Sequence, residues 1–236
     1  MIRAVIFDWG GTLTPWRTMD FRAGWRAYAE LRHAGDDDRA ATLTEALATA
    51  DLARWATIRD GARAFTIADV LADAAADHRD DEHAGALAAY RDHWVQATHT
   101  DPEAAPMLRA LKEQGLRLGI LSSTMWPGDW HDDWLRRDGV LDLFDGRTWS
   151  SDLPFTKPHP SAFRAAMDSV GVDDPAACVF VGDRPYDDIS GAKGVGMRAV
   201  LVPHSEIPAD QHVPVDVTPD AVIQRLAELP DVVRGW

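Results

Sequence analysis

Hydrophobic positions follow two different rules along this chain. Before residue 15 and after residue 99, short uninterrupted apolar runs close on small or polar residues: 4–7, 117–121, a segment around 147–149, 178–181 and 198–202. Runs of that length between turn residues read as buried strands, and their alternation with helical stretches near 102–114 and 161–170 predicts parallel βαβ units. Between about Met19 and Thr98 the apolar residues instead recur every three and four positions in an Ala-rich context. That spacing predicts helices near 21–34, 39–59, 66–76 and 83–97, with no strand among them. The expected fold is α/β: a Rossmann-like parallel sheet built from residues 1–14 and 100–236, with a helical unit, 15–99, inserted after the first strand.

The ends of the apolar runs carry the chemistry. Asp8-Trp9-Gly10-Gly11-Thr12 follows the first, so Asp8 is expected at the carboxyl edge of the sheet, where open α/β folds bind ligands. Alone, the pentapeptide reads equally well as an ordinary strand-ending turn, because Asp and Gly favour turns. Three further segments change the balance. The second run ends in Ser122-Ser123, the turn Thr156-Lys157-Pro158-His159-Pro160 holds a lysine between prolines, and the run ending at Gly182 is followed by Asp183, Asp187 and Asp188. A carboxylate, hydroxyls, a cation and an acidic cluster, each placed after a strand or a rigid turn, suit a phosphate-and-metal site.

In the order and spacing of these four segments the chain resembles the haloacid dehalogenase superfamily, most of whose members are magnesium-dependent phosphatases. The segment Gly182-Asp183-Arg184-Pro185-Tyr186-Asp187-Asp188-Ile189 is similar to that family's acidic motif almost position by position. The resemblance implies that Asp8 is the nucleophile, forming an aspartyl-phosphate. It implies that Lys157 balances charge, that Ser122, Ser123 and Gly11 meet the phosphate, and that Mg²⁺ is held by Asp8, the Gly10 carbonyl and Asp183. Asp187 and Asp188 then stand behind the metal ligands, and residues 15–99 form a helical cap over the site. One position departs from the pattern. The residue two after the nucleophile is normally a second Asp acting as general acid and base, and here it is Gly10. If an acid is supplied elsewhere, Asp20 and the helical insertion are the first places to look.

The departure keeps other branches in view. A tryptophan after the nucleophile and a small residue next resemble the phosphonatases, whose cap lysine forms a Schiff base, yet the only lysines are Lys112, Lys157 and Lys193, none of them in 15–99. Haloacid dehalogenation needs no acid but does need a halide pocket, for which Arg22, Trp25 and Arg26 are the available residues. A phosphate-binding descendant with little turnover is the third alternative.

Composition narrows the partners. With 24 basic against 38 acidic residues and a formal net charge of −14, the chain opposes polyanion binding, so no nucleic acid is expected. No apolar run reaches membrane-spanning length and no leader pattern precedes the first strand, so a cytoplasmic protein acting on a small phosphorylated metabolite is expected. The single Cys178 lies at the start of a strand run and reads as a buried hydrophobe. Trp126, Trp130 and Trp134 read as core packing, His83 and His93 as packing or solvated histidines, and Asp36-Asp37-Asp38 as a helix start.

Overall fold

The computed structural model describes residues 1–76, 81–203 and 213–236. Among them six parallel strands form one sheet, β1 (Ala4–Phe7), β2 (Arg117–Ser122), β3 (Gly146–Trp149), β4 (Cys178–Gly182), β5 (Arg198–Leu201) and β6 (Ala221–Val222), in the order β3-β2-β1-β4-β5-β6. β1 is central, pairing with β2 from Ala4 opposite Arg117 and with β4 from Ala4 opposite Cys178. The first five strands coincide with the apolar runs to within a residue or so at each end. The sixth is two residues long, too short for any period to announce it.

Alternate residues of each strand feed separate cores, as the two-residue period of a strand requires. Val5, Phe7, Leu118, Ile120, Val179 and Val181 lie in one buried cluster, while Ala4, Ile6, Leu121, Cys178 and Phe180 lie in the other. Helix α5 (Ala104–Glu113) contributes Met107, Leu108 and Leu111 to the first. Helix α7 (Pro160–Ser169) contributes Phe163, Ala166 and Met167 to the second. Both faces are covered, which explains why the strands read as continuous apolar runs rather than alternating ones. Cys178 is fully buried and burial pushes its thiol up to about 11, so it behaves as the inert hydrophobe its context predicts.

Among the described residues between β1 and α5 lie four α-helices, α1 (Phe21–Arg32), α2 (Asp37–Gly61), α3 (Ile67–Asp73) and α4 (Asp81–Trp94). Their starts are capped: Asp20 accepts from the amides of Arg22 and Ala23, Asp36 from Arg39, and Thr66 forms a reciprocal box with Asp69. Asp20 is therefore occupied as a helix cap. The linker 62–66 ties the helices to the sheet's carboxyl edge. Thr156 N donates to Ala62 O at 2.8 Å, Ala64 N to Pro154 O at 3.1 Å, and Ile67 N, the next residue, to Met125 O at 2.8 Å.

Helix α6 (Gly128–Arg137) starts after Pro127 and turns the three tryptophans into an aromatic seam. Trp134 stacks on Trp9 at 5.7 Å, and Trp126 reaches across to α4, its indole lying 5.3 Å from Trp94 and donating to the Tyr90 hydroxyl at 3.3 Å. Core packing is thus the role of Trp130 and Trp134, both buried. His83 places Nδ1 3.0 Å from the Tyr28 hydroxyl, a packing role.

Inside the helical layer Asp51 is an anomaly. It is 5% exposed, one oxygen accepts from Trp25 Nε1 at 2.9 Å, and the Trp55 indole also bears on the carboxylate. Burial raises its pKa to about 6, with the Trp25 and Trp55 indoles pulling the other way. The folded chain therefore holds this proton more tightly than the unfolded one. Its contribution to stability is lost as pH rises from the unfolded value near 3.8 through about 6. Asp51→Asn should stabilise the protein by about 2–3 kcal/mol above pH 7 and by almost nothing near pH 4. Urea unfolding at the two pH values checks this, and an equal gain at both would mean that burial of charge is not the cause.

Candidate active site

The chain turns one way from β1 to β2 and β3 and the other way to β4, so the sheet's topological switch point lies at the carboxyl ends of β1 and β4. Asp8 directly follows β1, Ser122 ends β2 and Asp183 directly follows β4. Strand geometry alone brings residues more than a hundred positions apart to one edge.

Lys157 organises what meets there. Its Nζ lies 2.8 Å from Asp8 Oδ1 and 2.6 Å from Asp188 Oδ1, and all three side chains are buried. Trp9 N also donates to Asp8 Oδ1, at 2.7 Å. Both contacts fall on the same oxygen. Asp188 is fully committed: its second oxygen accepts from Arg184 N at 2.9 Å. Burial works against the lysine charge, but attraction to Asp188 and Asp8 outweighs it and holds Lys157 above the ordinary lysine range.

Asp183 lies on the other side of the loop 8–14. Thr12 Oγ1 donates to its Oδ1 at 3.1 Å, while Oδ2 is buried without a partner. Gly11 is the reason the loop can come this close. With φ of +91° it occupies a conformation that suits glycine, and a Cβ there would stand 2.4 Å from Asp183 Oδ2. Its amide is used within the turn, donating to Thr14 O at 2.7 Å, so it serves close approach rather than offering a free N–H to a phosphate. Gly10 differs: a Cβ at that position meets nothing within 4 Å. The space a longer side chain would need is open.

The electrostatics are unbalanced. Oxygens of Asp8, Asp183 and Asp188 lie within 4.8 Å of one another, with one lysine among them. Asp183 is held well above the usual carboxylate range, first by burial and then by the charges of Asp188 and Asp8; Asp8 is raised by burial against the pull of Lys157. Asp187 is pushed up to about 6 by burial and by Asp188. A cluster of hard oxygen donors with surplus negative charge and one orphaned buried oxygen fits a small divalent cation such as Mg²⁺.

The serines sit beside this cluster. Ser122 is buried at the end of β2, and Ser123 Oγ accepts from Thr156 Oγ1 at 2.6 Å, which joins the β2 loop to the lysine turn. The structure thus brings Asp8, Asp183, Asp188 and Lys157 together and places Ser122 and Ser123 at the same edge. Sequence reasoning missed Thr12 and Thr156. Both are hydroxyls bridging distant segments, for which a strand-end pattern holds no signal.

The family model for haloacid dehalogenase-like hydrolases matches residues 2–196. The chain belongs to that family. A glyceraldehyde 3-phosphate phosphatase of Methanopyrus kandleri is 34% identical to it over 151 residues, 64% of each chain. The chain spans 64% or less of the length of the curated relatives it matches. Two solved structures match over essentially their whole length. A HAD phosphatase from Thermococcus onnurineus has a TM-score of 0.66, 26% identity and 99% coverage of each chain, and a 2-haloacid dehalogenase from Pseudomonas syringae has 0.66, 29% and 100%. Among the described residues no helix is long and apolar enough to cross a membrane.

Removing the central cation tests the electrostatic account. Lys157→Met leaves buried carboxylates facing one another and should cost about 3–5 kcal/mol at pH 7.5. The deficit should shrink towards pH 5, where the carboxylates can take up protons. Urea unfolding at both pH values measures it, and a deficit independent of pH would show that packing, not charge, is what the lysine supplies.

Proposed function

We propose that this chain is a magnesium-dependent phosphatase of small phosphorylated metabolites, working through an aspartyl-phosphate on Asp8. The observation that carries the reading is the buried carboxylate surplus at the switch point, with Asp183 Oδ2 unpartnered beside a lysine-held Asp8. The naming of curated relatives as phosphatases supports it. Asp8, the Gly10 carbonyl and Asp183 would hold Mg²⁺, which would neutralise charge on a bound phosphate.

With Oδ1 engaged by Lys157 and Trp9 N, Asp8 presents Oδ2 to the phosphorus. A bond forms between Oδ2 and phosphorus as the bond to the leaving oxygen breaks; water then cleaves the acyl phosphate, releasing inorganic phosphate and restoring the carboxylate. Lys157 offsets charge on the nucleophile and phosphoryl oxygens, and Ser122, with Ser123 beside it, donates to those oxygens. Asp188 keeps Lys157 in place, and Asp187 stands behind the cluster. The helical insertion, 15–99, acts as the cap that covers the site, since its linker 62–66 is bonded to the loops on either side of it.

Two alternatives lose ground on specific contacts. The residues available for a halide pocket are otherwise engaged: Arg22 is paired with Glu45, Arg26 is exposed, and Trp25 gives its N–H to the buried Asp51, whose charge repels halide. A Schiff-base route lacks a lysine anywhere in 15–99.

Asp8→Asn should reduce Mg²⁺-dependent phosphate release to background without unfolding the chain; more than a few per cent of wild-type turnover would refute the nucleophile. Gly10 generates the sharper test. Without an acid there, aryl or acyl phosphates, which leave as stabilised anions, should be turned over better than simple sugar phosphates. Because the space beside Gly10 is open, Gly10→Asp should raise turnover of poor leaving groups selectively, by up to about 10²–10⁴. Comparing an aryl phosphate with a sugar phosphate in both proteins decides it, and efficient native hydrolysis of the sugar ester would mean that the cap supplies an acid.

A further inference from the structure

The aromatic seam holds one side chain that packing alone does not require. His131, on α6, is fully buried among indoles: its ring stacks on that of Trp149 at 4.2 Å, meets Trp9 at right angles at 4.6 Å, and lies within 5.8 Å of Trp134 and Trp126. A wholly apolar ring would fill such a place without taking two nitrogens out of water. One nitrogen is used. His131 Nε2 lies 3.1 Å from Thr124 Oγ1, whereas Nδ1 has no hydrogen-bond partner among the described residues. Burial, with the charge of Arg91 beside it, pushes the imidazole down to about 3. The ring is therefore neutral at physiological pH and is not a charged acid in reserve for the place that Gly10 leaves open.

The two groups it joins both belong to the sheet's working edge. Trp9 directly follows Asp8 and donates its amide to Asp8 Oδ1 at 2.7 Å, while Thr124 lies two residues beyond Ser122. Phe7 is in register with Ile120, so Asp8 and Ser122 leave neighbouring strands at nearly the same level. The β1–β2 pairing ends there, and His131 ties the loops beyond it. Thr124 is itself clamped to the end of β3: its amide donates to Ser150 Oγ at 2.8 Å, and its carbonyl accepts from that hydroxyl at 2.9 Å. A bond to so fixed a residue fixes His131 and, through the ring contact, Trp9.

We propose that His131 is a positioning residue, setting the Asp8 carboxylate against Ser122 by holding the Trp9 ring on one side and Thr124 on the other. The proposal rests on the phosphatase reading for what passes between those two groups. Small misplacements of reacting groups are costly in rate, so a wedge between the two loops acts on turnover more than on binding.

Two substitutions divide the link. His131→Phe keeps a ring against Trp9 and removes the bond to Thr124; His131→Gln keeps an amide within reach of Thr124 and removes the ring. Each should lower kcat for an aryl phosphate with Mg²⁺ by about five- to twentyfold and leave KM within about twofold, measured well below the melting temperature of the variant. Thr124→Val breaks the same bond from its other end, so in the His131→Phe background it should cost less than about twofold more. Since it leaves the rings in place, Thr124→Val carries the same kcat prediction if a His131 variant does not fold. Turnover within about twofold of the native chain in either His131 variant, or a fully additive loss in the double variant, overturns the proposal. Amide hydrogen exchange reads the geometry without turnover. In His131→Gln the Trp9 amide should exchange at least about tenfold faster, while the Asp8 amide, bonded to Val181 O within the sheet, keeps its rate. Equal acceleration of the two amides, or none, means that His131 serves packing alone and overturns the proposal. If the native chain releases no phosphate, the phosphatase reading fails, and the exchange rates alone decide whether His131 holds Asp8.

Discussion

One buried ammonium group sets the geometry of this molecule's working edge. Lys157 is enclosed and touches carboxylates from two different strand ends, Asp8 after β1 and Asp188 beyond β4. Taking three charged groups out of water is costly, and mutual attraction offsets that cost only when the contacts are short and the remaining oxygens are bonded. Here the contacts are short and Arg184 N bonds the second oxygen of Asp188, while Asp8 takes both Lys157 and Trp9 N on Oδ1. The arrangement ties the lysine turn to the sheet's centre, and through Thr156 and Ser123 it ties in the end of β2. Asp183 is the member this bridge does not satisfy, and the cluster keeps a surplus of negative charge.

The sheet was legible because buried parallel strands write themselves as apolar runs, and each run closed where the chain reached the polar edge. β6 was not, since two residues carry no period. Helix boundaries in the insertion moved by no more than three residues; the caps at Asp36 and Thr66 set two of the starts, and apolar spacing does not see caps. The motif residues could be located because strand ends converge, but how each is held could not. Gly11 looked like a phosphate contact from its place in the motif, whereas its amide closes the turn and its missing Cβ makes room for Asp183. Thr12 and Asp183 are 171 residues apart, a pairing that only the folded sheet creates.

Asp51 was invisible for a different reason. A single Asp in an Ala-rich amphipathic pattern reads as a solvated helix position, and nothing local says that Trp25 will cover it. A carboxylate whose burial raises the free energy of the fold, in a layer otherwise packed with aromatic rings, is a conflict between local chemistry and global packing that a local pattern does not show.

Gly10 bears on the proposed reaction. If Asp8 is the nucleophile, the absence of a carboxylic acid two residues on leaves less of the barrier to be lowered by proton transfer to the leaving oxygen, and more would have to come from how the phosphoryl group is held. The groups placed for that at the sheet's edge are Lys157 and Ser122, both buried. Since solved phosphatases and dehalogenases share this architecture, the reaction has to be read from local features: three buried carboxylates around one lysine, and a glycine where an acid would otherwise stand.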